Sequence, residues 1–110
     1  MTQNLSKREI KDIVLSSVDV KDVEKIILFG SRARGDFNDH SDYDIIIIVK
    51  NENISRKEKL NLFFQINNAF ADKSIPIDLL IRTKEQYEYY KDKIGNVIKY
   101  SLNESVLLYG

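Results

Sequence analysis

Helix-like and strand-like patterns of apolar residues alternate along the first half of the chain. Residues 6–9 have the spacing of a capping box, and apolar side chains recur at helical intervals over residues 10–18, which predicts a first helix. The apolar run Val23–Phe29 stops at Gly30 and predicts a buried strand. Tyr43–Val49 contains four consecutive isoleucines without alternation, which predicts a central strand covered on both faces.

The second half of the chain continues this alternation. Residues 55–58 form another capping box, and residues 75–81 predict a strand with Pro76 at its start or at a sheet edge. The helix after residue 58 has an apolar side made of Leu60, Phe63, Phe64, Ala69 and Phe70. A third long helix is predicted from Thr83 onwards, weakened or broken at Gly95. Its apolar residues are Tyr87, Tyr90, Ile94, Val97 and Ile98.

Alternating helices and strands predict a layered α/β domain with helices packed on a sheet of about four strands, the last formed by residues 105–109. A chain of 110 residues has the commonest size of a single domain, so we assign residues 1–110 to one domain. Periodicity alone does not distinguish a mixed sheet from a doubly wound parallel sheet.

Composition and charge narrow the classes of partner. The 17 Lys and Arg balance the 17 Asp and Glu, which argues against a bulk electrostatic grip on nucleic acid or an anionic membrane. The absence of Cys excludes disulfides and thiolate metal sites, and the single His excludes a zinc site with two imidazoles. With no signal-peptide pattern and no apolar run long enough to cross a bilayer, we expect a small cytoplasmic protein.

The first candidate site is the turn Gly-Ser-Arg-Ala-Arg-Gly at residues 30–35, directly after a predicted strand. Gly30 permits a tight turn and close approach of a ligand to the backbone. Ser31 is expected to cap a short helix whose free N–H groups suit a phosphate. Arg32 and Arg34 add charge and can grip phosphate with two donors each. The alternative is a plain strand-to-helix turn with solvated arginines.

Carboxylates form the second candidate site. Asp42 and Asp44 lie two apart at the mouth of the isoleucine-rich strand and therefore share one face. Their repulsion at 4 Å would be about 1 kcal/mol in water and about 4 kcal/mol at an effective dielectric of 20, and Mg²⁺ would remove it. Asp78 interrupts an otherwise apolar strand, where a carboxylate needs a partner, a metal or a shifted pKa. The alternatives are a solvated acidic turn and, for Asp78, a bond to Arg82 or a backbone N–H.

Together these features resemble a known family. Gly30-Ser31 is followed after ten residues by Asp42-x-Asp44, and Asp78 supplies a third strand carboxylate, as in the polymerase-β-like nucleotidyltransferase superfamily. Residues 29–35 (Phe-Gly-Ser-Arg-Ala-Arg-Gly) and 41–44 (Ser-Asp-Tyr-Asp) are most similar to the minimal nucleotidyltransferases. Those proteins are the partners of HEPN-domain proteins in prokaryotic toxin–antitoxin pairs. The resemblance covers essentially the whole chain.

The resemblance implies an α+β fold with a mixed sheet and helices mainly on one face. It also implies that Gly30 and Ser31 hold the triphosphate of ATP. Asp42 and Asp44 would bind two Mg²⁺ ions. Asp78 would complete the metal site and help to deprotonate the attacking hydroxyl. Phosphate contacts from Arg32 and Arg34 are our own inference from their chemistry.

By the same resemblance, the chain transfers AMP from ATP to a hydroxyl, that of a Tyr in a HEPN toxin, and silences the toxin's RNase activity. A chain this short is expected to form one wall of a cleft, so the partner would supply the other wall in a hetero-oligomer. One alternative is a non-catalytic nucleotide-binding antitoxin that neutralises its partner by docking. Small-molecule transferases such as the aminoglycoside-modifying members share the core but carry an additional substrate-binding domain.

Overall fold

A four-stranded sheet forms the centre of the fold in the computed structural model, which describes residues 4–90 and 105–110. The strands are β1 (Val23–Phe29), β2 (Tyr43–Val49), β3 (Ile77–Thr83) and β4 (Val106–Tyr109). The helices are α1 (Lys7–Ser17), α2 (Gly30–Arg34), α3 (Arg56–Ala71) and α4 (Lys84–Tyr90), with a 3-10 turn at Val20–Asp22. No helix within the described ranges has the length and apolar character needed to cross a membrane.

The sheet is mixed, which settles the choice that periodicity left open. Its strand order is β3-β2-β1-β4, with β2 parallel to β3 and β1 antiparallel to both β2 and β4. The predicted bounds of β1 and β2 are confirmed. The third strand begins at Ile77, two residues later than predicted, and Pro76 stands before it and accepts a hydrogen bond from Tyr43 N–H at 3.1 Å. Pro76 thus lies outside the strand and not at its start, whereas the edge position that was the alternative holds for β3.

The isoleucine-rich strand is buried on both faces, as predicted. One face packs against α1 and α3, and this larger cluster joins Ile45 and Ile47 to Ile10, Ile66 and Phe70. On the opposite face, Ile46 and Ile48 pack with Ile27, Phe29 and Tyr87 of α4. The helices therefore lie mainly on one face, and α4 covers part of the other.

Side-chain caps begin three of the helices. Ser6 and Glu9 form a complete capping box at α1, and Ser55 Oγ accepts a hydrogen bond from Glu58 N–H at α3. At α4, Gln86 N–H donates to Thr83 Oγ1, and Thr83 N–H donates to Gln86 Oε1. Strand β3 thus passes directly into α4. The predicted continuation of this helix, with Ile94, Gly95, Val97 and Ile98, lies outside the described residues.

The apolar side of α3 differs from the prediction. Leu60 and Phe64 are about half exposed (52% and 51%), whereas Ile66 and Phe70 are fully buried. A turn of 100° per residue sets Phe64 on the side of the helix opposite Ile66, and Leu60 shares that side because it lies one turn earlier. The true buried stripe includes Ile66, which the list of predicted apolar positions omitted.

This difference between positions on α3 is testable. Ile66→Ala should lower the free energy of unfolding by about 2–5 kcal/mol, because it removes fully buried methyl and methylene groups and leaves a cavity. The matched control Leu60→Ala should change it by less than about 0.5 kcal/mol. Urea unfolding followed by circular dichroism measures both values, and equal losses would contradict the assigned stripe.

Candidate active site

Strand register brings two of the three predicted carboxylates together. In the parallel pair β2–β3, Asp44 lies directly opposite Asp78, so their side chains share one face and one end of the sheet. Asp42 stands two residues before Asp44, just outside β2. The face they occupy is the one that α4 covers further along the strands, away from α1 and α3. The sequence prediction of a carboxylate cluster is consistent with this arrangement.

Asp78 is exposed, which corrects our expectation of a buried carboxylate in need of a partner. It lies near the start of an edge strand, on the face opposite the buried side chains of Leu79 and Ile81. Its alternative partner Arg82 instead donates a hydrogen bond to the carbonyl of Ile81 at 2.8 Å. Asp78 is therefore a solvent-accessible member of the cluster.

The cluster perturbs the ionisation of Asp44, which is half-buried between its neighbours. Burial raises the pKa of the Asp44 carboxyl above its ordinary value, and the negative charges of Asp78 and Asp42 raise it further. Arg34 acts in the opposite direction. Asp42 and Asp78 are thus each close enough to repel Asp44, and a positive charge placed beside Asp44 would be stabilised.

Gly30 is required at the end of β1 for two reasons. Its φ of 72° lies in the left-handed region, and a Cβ built on it would overlap Oδ2 of Asp44. The overlap follows from the register, because Phe29 pairs with Asp44 across β1 and β2. The glycine therefore brings the backbone of the turn against the central carboxylate.

Ser31 does not cap α2, contrary to our expectation. The helix begins at Gly30, its N-cap is Phe29, and no side chain of the described residues caps that end. Ser31 is the second helical residue, and its carbonyl accepts a hydrogen bond from Gly35 N–H at 2.9 Å, where the helix ends. The first turn of α2 thus begins beside Asp44 without a side-chain cap of its own.

The two arginines of the turn have different surroundings. The positive charge of Arg34 lowers the pKa of Asp44, and the Arg34 Nε pairs with Asp36 at 3.2 Å. Arg32 is buried, and its guanidinium donates to the carbonyl of Ser41 and to the side chain of Asn4. Each of the three guanidinium nitrogens of Arg32 already donates to the chain itself, which argues against the phosphate contact that we expected from Arg32.

Sequence reasoning also missed the organisation of the loop before Asp42. Asn38 N–H donates to Ser41 Oγ at 3.0 Å, and Ser41 N–H donates to the Asn38 carbonyl at 3.1 Å. His40 N–H donates to Asn38 Oδ1 at 2.8 Å. An Asn followed by a Ser three residues later is typical of such a turn, so the signal was present in the sequence.

The three carboxylates fit Mg²⁺ in donor chemistry, since this hard cation prefers carboxylate oxygens together with substrate phosphates. The negative charges of Asp78 and Asp42 both raise the pKa of the Asp44 carboxyl, so a cation beside Asp44 would be attracted by each of them. Within the described ranges, no three carboxylate or imidazole groups already converge closely enough to hold a metal ion. The three carboxylates therefore fit Mg²⁺ in the type of their donor atoms and in their neighbouring positions at one end of β2 and β3.

The cluster lies on an open surface in the described part of the chain, with Asp42 and Asp78 both exposed. Cavities of about 280, 370 and 480 Å³ are lined by other residues, at the far end of β2, along the outer edge of β3 and beneath the first turn of α1. These three cavities therefore lie apart from the carboxylate cluster.

Similarity to known proteins identifies the family of this chain. The model of the family described as polymerase beta, nucleotidyltransferase matches residues 8–105. The chain belongs to this nucleotidyltransferase family. A protein of Methanocaldococcus jannaschii named as a protein adenylyltransferase is 38% identical over 90 residues, which is 82% of this chain and 85% of that protein.

Solved structures support the fold. A nucleotidyltransferase structure from Sulfolobus solfataricus has a TM-score of 0.56 at 24% identity, covering 91% of this chain and 73% of its own. A toxin–antitoxin structure with AMP-PNP has a TM-score of 0.62 at 17% identity, and a mutant of the toxin–antitoxin MntA–HpeT has 0.60 at 15%. Each of the latter two covers 96% of this chain and 74% of the matched chain. At these identities the structures confirm a polymerase-β-like nucleotidyltransferase fold.

The two glycines of the turn provide a matched test of the contact with Asp44. Gly30→Ala should lower the free energy of unfolding by about 2 kcal/mol, because the strain of a positive φ is joined by an overlap that forces the Asp44 side chain to move. Gly35→Ala should cost about 1 kcal/mol, because its φ is 88° but its added Cβ meets open space. Thermal and urea unfolding measure both, and equal costs would contradict the close approach.

The ionisation of Asp44 predicts a pH-dependent stability. The pKa of the Asp44 carboxyl is higher in the folded chain than in the unfolded chain, where it is near the ordinary value of 3.8. The contribution of Asp44 to the stability of the fold is therefore most favourable below about pH 3.8. It declines as the pH rises through the raised pKa of the folded chain, and it is unfavourable at neutral pH. Asp44→Asn should consequently stabilise the metal-free protein at pH 7 by about 0.2–1 kcal/mol, the scale of a cross-strand pair.

Urea unfolding at pH 7 and at pH 3.5 checks this prediction, with Asp39→Asn on the exposed loop as the control. The gain from Asp44→Asn should shrink at the lower pH. A gain that is independent of pH would show that the charge of Asp44 is not its cause.

Proposed function

We propose that this nucleotidyltransferase transfers AMP from ATP to a hydroxyl group of a protein and so acts as the antitoxin of a toxin–antitoxin pair. The observation that carries the proposal is the pairing of Asp44 with Asp78 beside Asp42 and against Gly30. This arrangement joins a carboxylate cluster suited to a divalent cation to a glycine turn that admits a ligand close to the backbone. The relative named as a protein adenylyltransferase supports the reaction class.

In the proposed reaction, Asp42, Asp44 and Asp78 hold Mg²⁺, and the metal supplies charge stabilisation for the entering and leaving oxygens. The turn at Gly30 and Ser31 receives the triphosphate, with Arg34 near enough to contribute positive charge. The acceptor oxygen attacks the α-phosphorus and the bond to pyrophosphate breaks. Asp78, which is exposed next to Asp44, takes the proton of the acceptor hydroxyl.

The acceptor is proposed to be a Tyr of a HEPN-domain toxin bound to this chain. The open carboxylate surface suits a macromolecular acceptor, because a docked protein can supply the wall and exclude water. Two structural neighbours are toxin–antitoxin structures, one of them with AMP-PNP, an analogue of ATP. These neighbours support a nucleotide and a toxin as the two ligands of the site.

Incubation of the complex with labelled ATP and Mg²⁺ tests this function, with intact-mass spectrometry of the partner as the readout for whole-AMP increments. Asp78→Asn should reduce transfer by at least about 100-fold, because loss of a metal ligand costs more than loss of a group behind it. Asp39→Asn, a loop carboxylate outside the cluster, should retain wild-type transfer.

The docking alternative gives a different result. If Asp42→Asn and Asp78→Asn leave both labelling and neutralisation intact, the catalytic proposal is wrong. If labelling is lost but neutralisation is fully retained, the chain acts as a nucleotide-binding antitoxin that works by docking.

A further inference from the structure

Arg32 is the one buried charged side chain in residues 4–90 and 105–110, being only 8% exposed. Its Nε and Nη2 both donate to the carbonyl of Ser41, at 3.2 and 3.1 Å. Its Nη1 donates to Asn4 Oδ1 at 2.8 Å. A buried guanidinium is costly unless its donors are satisfied, so this set of bonds fixes where the group can lie.

Two aromatic rings complete the surroundings of this guanidinium. Its Cζ lies 4.3 Å from the ring centroid of Phe37 and 4.3 Å from that of Tyr43. Stacking of this kind needs the flat, delocalised guanidinium and is poorly reproduced by an ammonium. The hydroxyl of Tyr43 in turn accepts a hydrogen bond from Leu5 N–H at 2.8 Å.

These contacts converge on the two chain neighbours of Asp42. Ser41, bound through its carbonyl, precedes Asp42, and Tyr43, bound through its ring, follows it. The carboxylate of Asp42 is exposed and accepts no hydrogen bond from the described residues. Its placement relative to Asp44 therefore depends on how the backbone is held on either side.

We propose that Arg32 is a positioning residue that aims Asp42 at the metal by holding Ser41 and Tyr43. The proposal rests on the proposed function, because it assigns Arg32 a role toward Mg²⁺ binding. It also links residues 4 and 5 to the site, through Asn4 on the guanidinium and Leu5 on the Tyr43 hydroxyl. Arg32 does not touch the nucleotide, and its influence passes through the backbone of Ser41 and Tyr43.

The test uses Arg32→Lys, which keeps the charge and loses the fork and the stacking plane. Arg82→Lys is the matched control, because Arg82 also bonds a backbone carbonyl but lies opposite Ile48, away from the carboxylates. Phe37→Leu removes one ring of the stack at a 39% exposed position and is a milder variant that keeps the test valid if Arg32→Lys fails to fold. Ile66→Val serves as a core variant with a general loss of stability.

The first readout is amide hydrogen exchange of the metal-free protein. In Arg32→Lys, peptides covering residues 36–43 should exchange about tenfold faster or more, relative to peptides of β1, because two bonds to the Ser41 carbonyl are lost. Phe37→Leu should change the same peptides in the same direction. Ile66→Val and Arg82→Lys should leave this ratio unchanged. Unchanged exchange in Arg32→Lys would overturn the proposal whatever the protein binds.

The second readout is the Mg²⁺ concentration that gives half-maximal ATP binding, measured by calorimetry. It should rise about tenfold or more in Arg32→Lys, as for groups that orient metal ligands, while ATP binding in excess chelator stays unchanged. A rise equal to that of Arg82→Lys or Ile66→Val would show a general structural effect and refute positioning. If the wild type binds no Mg-ATP, the proposed function fails, and hydrogen exchange alone then decides whether Arg32 orders the loop.

Discussion

The site depends on one unfavourable interaction, the repulsion between carboxylates that the register of β2 and β3 holds together. Asp44 and Asp78 face each other across a parallel ladder whose next residues are all apolar up to Ile47 and Ile81. The burial of Leu79 and Ile81 on one face of β3, with Asp78 exposed on the other, favours this register, because a shift of β3 by one position would turn Asp78 towards the core and Leu79 outwards. Hydrophobic packing therefore maintains a cluster of negative charge that electrostatics would disperse.

Much of this fold could be predicted from the sequence, because each of its strongest apolar patterns is compatible with only one type of element. The unbroken run Tyr43–Val49 has no solvent face, and its burial on both sides confirmed the prediction. The side of α3 was harder to identify, since Leu60, Phe64 and Phe70 are equally apolar and only tertiary packing decides which of them the sheet covers. Pairing direction was also beyond the pattern, because it depends on contacts between segments distant in the chain.

The sequence predicted which residues form the candidate site, but it did not predict the burial and the contacts of each side chain. Spacing brought Gly30, Asp42, Asp44 and Asp78 into consideration, and the structure gathers them at one end of the sheet. Spacing could not reveal that Arg32 turns inward, because that depends on where the Ser41 carbonyl and the ring of Tyr43 lie after folding. The same turn therefore contains one arginine that is buried in the fold and one whose charge acts on Asp44.

The contact between Gly30 and Asp44 bears on how related chains should be compared. Since the backbone at Gly30 has a positive φ and a Cβ there would meet Asp44, replacement of this glycine would destabilise the fold whether or not a chain is active. Asp78 is exposed on an edge strand and is under no such packing constraint. Retention of this glycine in a relative is therefore evidence about folding alone, whereas under the proposed function the loss of Asp78 would mark a catalytically silent relative.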